Sequence, residues 1–178
     1  MWLRATRWLS IPLLAALALT ACGRDGGSAS RTVGTGGELR FTWVMPEGFP
    51  AVASLHHALP DQPPAQTRSF GPGEEPPVGA EIAGGVLPVR FDESRRVVLR
   101  LRNPLDHPVR FWVAPHLPTP HEGIDALMVL CLCTGETYEI PAHGSWTRVM
   151  EFGIRRRDAV SPLRITHVIT LGEAPHLD

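Results

Sequence analysis

Val86 to Ala114 reads VLPVRFDESRRVVLRLRNPLDHPVRFWVA. Three runs in it, Val86–Phe91, Arg96–Asn103 and Val109–Ala114, place valine, leucine or phenylalanine at alternate positions, with arginine among the residues between. Successive side chains of a strand leave opposite faces, so each run offers one face to a core and one to water. The breaks are turn chemistry: Asp92-Glu93-Ser94, then the cluster Asn103 to Pro108. This is the grammar of short strands joined by tight turns.

The same pattern extends in both directions. Downstream, Ala126–Cys133 (ALMVLCLC) is apolar on both faces, as a central strand is. Thr137–Ile140 is a short strand, PAHGS a turn, and Trp146–Ile154 a further strand. After the charged loop RRRDAVSP comes the final strand, Leu163–Leu171. Upstream, Glu38–Val44 (ELRFTWV) alternates and is rich in β-formers. Met45 to Gly85 is dominated by proline, glycine and polar residues, and the sequence allows it short strands or one helical turn near Val52–Leu59. With 18 prolines and 17 glycines and no sustained helical period, the expected fold is all-β. It is an immunoglobulin-like antiparallel β-sandwich, formed by one domain over residues 38–178.

The N-terminus has a different character. MWLRATRWLSIPLLAALALTAC carries Arg4 and Arg7, an apolar stretch from Leu9 to Leu19, and small residues before Cys22. The apolar stretch is short for a membrane span. Leu-Thr-Ala-Cys resembles the bacterial lipoprotein cleavage motif, so residues 1–21 are read as a lipoprotein signal peptide and Cys22 as the lipidated residue. An ordinary secretory signal cut nearby is the alternative. Residues 22–37, rich in glycine and serine, form a flexible tether. The expected location is extracytoplasmic, anchored to the cell membrane by the lipid.

Charge and motifs exclude several function classes. All 17 basic residues are arginine and the formal net charge is −1, which offers no broad basic surface to a nucleic acid. There is no Gly-x-Ser-x-Gly elbow, His-Glu-x-x-His helix, phosphate-binding glycine loop or Cys-x-x-Cys motif. No enzyme activity is expected. Arg155 to Arg157 read as a solvated loop, or as a docking patch for an acidic partner.

That leaves Cys131 and Cys133 as the only thiols beyond Cys22. In a regular strand they share one face with Cα atoms roughly 6.6 Å apart and parallel Cβ vectors, poor geometry for a mutual disulfide. Three readings stay open: a strained disulfide, two inert buried thiols, or a soft-metal site. Closed tetrahedral zinc needs four ligands. Copper(I) accepts fewer soft ligands, and thiolate selects it.

The run Phe91–Leu171 resembles the CtaG-type copper chaperone family of cytochrome c oxidase assembly, which supplies the oxidase copper-B centre. NPLDHPV resembles that family's Asn-Pro-x-Asp-x-Pro-Val turn. LCLCTGETYEIPAHGS resembles its Cys-Phe-Cys-Phe signature, Glu-bearing turn and following loop, while WTRVMEFGI and LRITHVITL resemble the closing strands. The family-like part covers about residues 86–171. The resemblance implies an immunoglobulin-like sandwich that binds copper(I) through Cys131 and Cys133. It implies work on a heme-copper oxidase subunit carrying the copper-B site, often as a homodimer. Four features depart: a lipid anchor replaces the transmembrane helix, Leu132 and Thr134 replace the two phenylalanines, GIDALMV replaces the family's lead-in, and Met45–Gly85 has no counterpart. His116 and His121, in the loop before the cysteines, are the candidate third ligands. His56, His57, His107 and His143 read as solvated loop residues, and Met128 and Met150 as core. A non-metal accessory lipoprotein with inert cysteines, or a copper buffer without an oxidase client, are the alternative functions.

Overall fold

The computed structural model describes residues 36–91, 93–115, 118–119, 124–156 and 162–175, with backbone alone at 124–128 and 156. The signal segment, Cys22 and most of the tether lie outside the described residues. Ten strands build two sheets: β1 Gly36–Val44, β2 Val52–His57, β3 Thr67–Phe70, β4 Val86–Arg90, β5 Ser94–Arg102, β6 Val109–Ala114, β7 Ile124–Leu130, β8 Tyr138–Ile140, β9 Ser145–Arg156 and β10 Leu163–Leu171. A 3-10 turn, Ala83–Gly85, precedes β4.

One sheet has the order β4-β1-β10-β6-β8. The other runs β2-β5-β9-β3, with β7 also paired to β9. The two pack face to face as an all-β sandwich. One pairing departs from the antiparallel expectation: β1 and β10 run parallel, Leu39 opposite Leu163 through Val44 opposite Val168. These strands come from the two ends of the domain, so no hairpin dictates their direction.

The core follows the alternation seen in the sequence. Val97, Leu99 and Leu101 of β5 and Phe111 and Val113 of β6 are almost wholly buried in one cluster, with Trp146, Met150 and Phe152 of β9. Each such side chain contributes roughly 2 kcal/mol by leaving water. Within Val52–Leu59, open to a helical turn in the sequence, Val52–His57 is instead strand β2, paired along β5 from Val52 opposite Arg102 to His57 opposite Val97.

Two positions break the apolar inner faces. On β9 the inward series Trp146, Met150, Phe152, Ile154 includes Arg148, only 7% exposed. On β10 the inward series Leu163, Ile165, Ile169 includes His167, 0% exposed.

Candidate metal centre

The strand expected to carry the cysteines stops one residue before them. β7 pairs with the C-terminal half of β9 and ends at Leu130 opposite Glu151. Beyond that point the same edge of β9 is taken: Val149 exchanges hydrogen bonds with Ala65 and Gln66, both 2.9 Å, and β3 pairs onward to Ser145. A chain arriving at Cys131 finds no free ladder positions and turns away. The two cysteines therefore sit in a bend, not in a regular strand.

The bend is tight and well anchored. The Thr134 N–H donates to the Leu132 carbonyl at 2.9 Å, a three-residue turn centred on Cys133. Leu132 is 0% exposed and inserts into the core. Its carbonyl also accepts from the Tyr138 hydroxyl at 3.3 Å, and that hydroxyl shares a 2.7 Å hydrogen bond with the Thr134 hydroxyl. Arg148 donates to the Cys131 carbonyl at 3.2 Å and to the Thr67 hydroxyl at 2.7 Å. With Leu132 buried in the core, the flanking cysteines pack against its edge and line an open cleft. Their sulfurs are 3.3 Å apart, not joined in a disulfide, and both residues are half-buried.

The electrostatics follow from this closeness. Cys131 ionises at about 4 instead of its ordinary 9.0. The largest cause is the hydrogen bond from Cys133; His167 adds a hydrogen bond and its charge, and desolvation opposes both. His167 is fixed by its own packing: its ring stacks on Trp43 at 4.6 Å between centroids and lies 6.4 Å from Phe41. Both cysteines line a cleft of ≈ 550 Å³ with Pro115, Pro118, Leu130, Arg148 and Ile165. Soft sulfur is thus presented at the wall of a largely apolar recess.

His116 and His121, the candidate third ligands, lie outside the described residues. Among the described residues, no three His, Cys, Asp or Glu side chains converge as a metal-holding group. Of the other histidines, His56 hydrogen-bonds Ser54 at 2.9 Å and the Gly79 carbonyl at 3.2 Å, and His107 pairs with Asp106 at 3.0 Å. His143 occupies an exposed turn at φ 51°. Met150 is core, at 0% exposure. Arg155, expected in a loop, belongs to β9 and is exposed.

Sequence reasoning passed over Arg148 and His167. The signal was available: each stands at an inward position of an alternating strand, where a polar residue needs a partner.

The family model for a domain of unknown function (DUF8709) matches residues 39–171. The chain belongs to that family. The match begins in β1 and ends on the last residue of β10, so the DUF8709 domain here is the whole sandwich, cysteine bend included. No curated protein and no solved structure matches the chain.

Proposed function

We propose that this DUF8709 protein is a lipid-anchored, extracytoplasmic copper(I) metallochaperone that assists assembly of a heme-copper oxidase. Cys131 and Cys133 are the ligands. The observation that carries the reading is the pair of cysteine sulfurs 3.3 Å apart on an anchored bend at the wall of a cleft. Two adjacent soft donors suit copper(I) better than any hard divalent ion. A bis-thiolate copper(I) unit is anionic, and the inward Arg148 beside the bend supplies compensating positive charge in a medium of low dielectric. A half-buried site can hold its cargo and still admit an acceptor's ligand for exchange. His116 or His121 would complete the coordination from the preceding loop.

The oxidase as client, the lipid at Cys22 and the homodimer rest on the CtaG-type resemblance and the N-terminal motif. The test is anaerobic copper(I) titration against a competing chelator, with the Cys131→Ser/Cys133→Ser double variant as control. The proposal expects one equivalent held tightly by the wild type and lost in the variant; equal affinity in both sinks it. A second reading, an accessory lipoprotein with inert cysteines, draws on the lack of a three-ligand group among the described residues. It expects slow alkylation of the native thiols and no copper-dependent rise in melting temperature.

A further inference from the structure

The bend that unites the two sulfurs removes the geometric objection to their bonding. In a regular strand the cysteines would stand parallel and apart. Here the turn closed by Thr134 and Leu132 brings the sulfurs to 3.3 Å. A disulfide has a bond of about 2.05 Å, so little more than an ångström of approach separates the dithiol from the bonded state. Leu132, between them, is buried in the core, while Cys131 and Cys133 both line the cleft. The anchors from Tyr138 and Arg148 fall on the backbone carbonyls of Leu132 and Cys131, not on the sulfurs.

We infer that Cys131 and Cys133 form a thiol–disulfide exchange site that passes two electrons to a disulfide substrate and closes on itself. One thiolate of the pair attacks a sulfur of the substrate disulfide, giving a mixed disulfide and releasing the first substrate thiolate. The second thiolate then attacks the cysteine sulfur of that mixed bond. The second substrate thiolate leaves, and the Cys131–Cys133 disulfide forms. The substrate gains two electrons and the chain loses two; the protons of the two thiols pass by way of solvent to the released thiolates. The small ring that results is strained, which keeps the bond readily reducible and the exchange reversible. The substrate class is a disulfide whose surroundings are apolar enough to enter a cleft walled by Pro115, Pro118, Leu130 and Ile165. This chemistry stands without copper. Its consequence for copper, that oxidation of the pair empties the site, rests on the carrier reading above.

The experiment equilibrates the reduced full-length chain, without oxygen, in graded mixtures of reduced and oxidised glutathione. Acid quenching and peptide mass mapping then read the segment holding Cys131 and Cys133. The expected result is a peptide lighter by two hydrogens, restored by dithiothreitol. Because the bend is formed in advance, the native chain should reach half-oxidation at a ratio of oxidised to reduced glutathione at least about tenfold lower than the same chain in urea, the gain that positioning two reacting groups supplies. Two glutathione adducts on the peptide, or a native midpoint no lower than the unfolded one, would overturn the inference. A parallel copper(I) titration separates the two proposals. If the disulfide forms as described while the reduced chain binds no copper, exchange stands and the carrier reading falls. If reduced and oxidised chains both bind copper tightly, the claim that oxidation empties the site is wrong.

Discussion

Arg148 donates to the carbonyl oxygen of Cys131 at 3.2 Å from an inward position on β9 where the neighbouring inward residues are Trp146 and Met150. Its other partner, the Thr67 hydroxyl, is also neutral. A guanidinium buried on neutral oxygens is costly, and it makes physical sense beside a Cys131 sulfur that ionises readily. Replacing such a group with an apolar side chain of similar reach is tolerated by folds. Arg148→Met should therefore keep the sandwich, with a urea midpoint close to the wild type. It should weaken copper(I) binding about tenfold, equivalent to about 1.4 kcal/mol, by loosening the bend and removing the positive charge. Chelator competition checks this, and an unchanged affinity would show that Arg148 serves packing alone.

The thiol pair also makes stability depend on pH in a defined direction. Cys131 ionises at about 4 when folded and at 9.0 when unperturbed, chiefly because Cys133 hydrogen-bonds the thiolate. Between those values the unfolded chain holds the extra proton. Stability from this group is thus complete above about pH 9 and drains away as the pH falls towards 4. Urea midpoints of the reduced wild type and of Cys131→Ser, compared at several pH values across that window, should converge in acid. Curves that diverge in acid would contradict the ionisation of Cys131.

The parts of this fold that were legible in the sequence are those fixed by local alternation. Val97, Leu99 and Leu101 mark β5 by alternation alone, and the pattern of the closing strand, Leu163–Leu171, is the span that β10 takes. β2 was less legible: only Leu55 of its six residues is fully buried, so its pairing with β5, not its pattern, makes it a strand. The cysteine bend was illegible for a different reason. VLCLC has every local mark of a strand, and its departure at Cys131 is imposed by Ala65 and Gln66 occupying the edge of β9. That is a contact distant in sequence, which no short pattern encodes. The identity of the sulfur donors was readable from composition; their approach to 3.3 Å was not.

The NPLDHP cluster, read as a turn, turns out to clamp two turns together. Asn103 is 1% exposed, donates to the His107 carbonyl at 2.8 Å and the Pro141 carbonyl at 3.0 Å, and accepts from the Leu105 N–H at 3.0 Å. It thus ties the β5–β6 connection to the β8–β9 connection. Asn103→Ala removes the amide from all three partners and should destabilise the domain by about 2 kcal/mol. Asn103→Asp keeps the acceptor and loses the donors, so it should recover only part of the loss. Chemical denaturation of the three proteins decides; an alanine variant within about 0.5 kcal/mol of wild type would mean that the turns hold without the clamp.

His167 gives the sharpest test of how the core tunes the sulfurs. It stacks on Trp43 at 4.6 Å and is fully buried, and it stabilises the ionised form of Cys131 through a hydrogen bond and its charge. His167→Phe preserves a flat ring in the stack and removes both electrostatic contributions. The domain should still fold, because an aromatic side chain of similar shape fills the same space. The thiolate, followed by its ultraviolet absorbance in the reduced chain, should then form at a distinctly higher pH than in the wild type. Copper(I) affinity should fall by about tenfold or more, the usual cost of removing a group that orients a ligand. If the variant folds and both the thiolate midpoint and the affinity are unchanged, His167 is a core residue only, and the activation of Cys131 belongs to Cys133 alone.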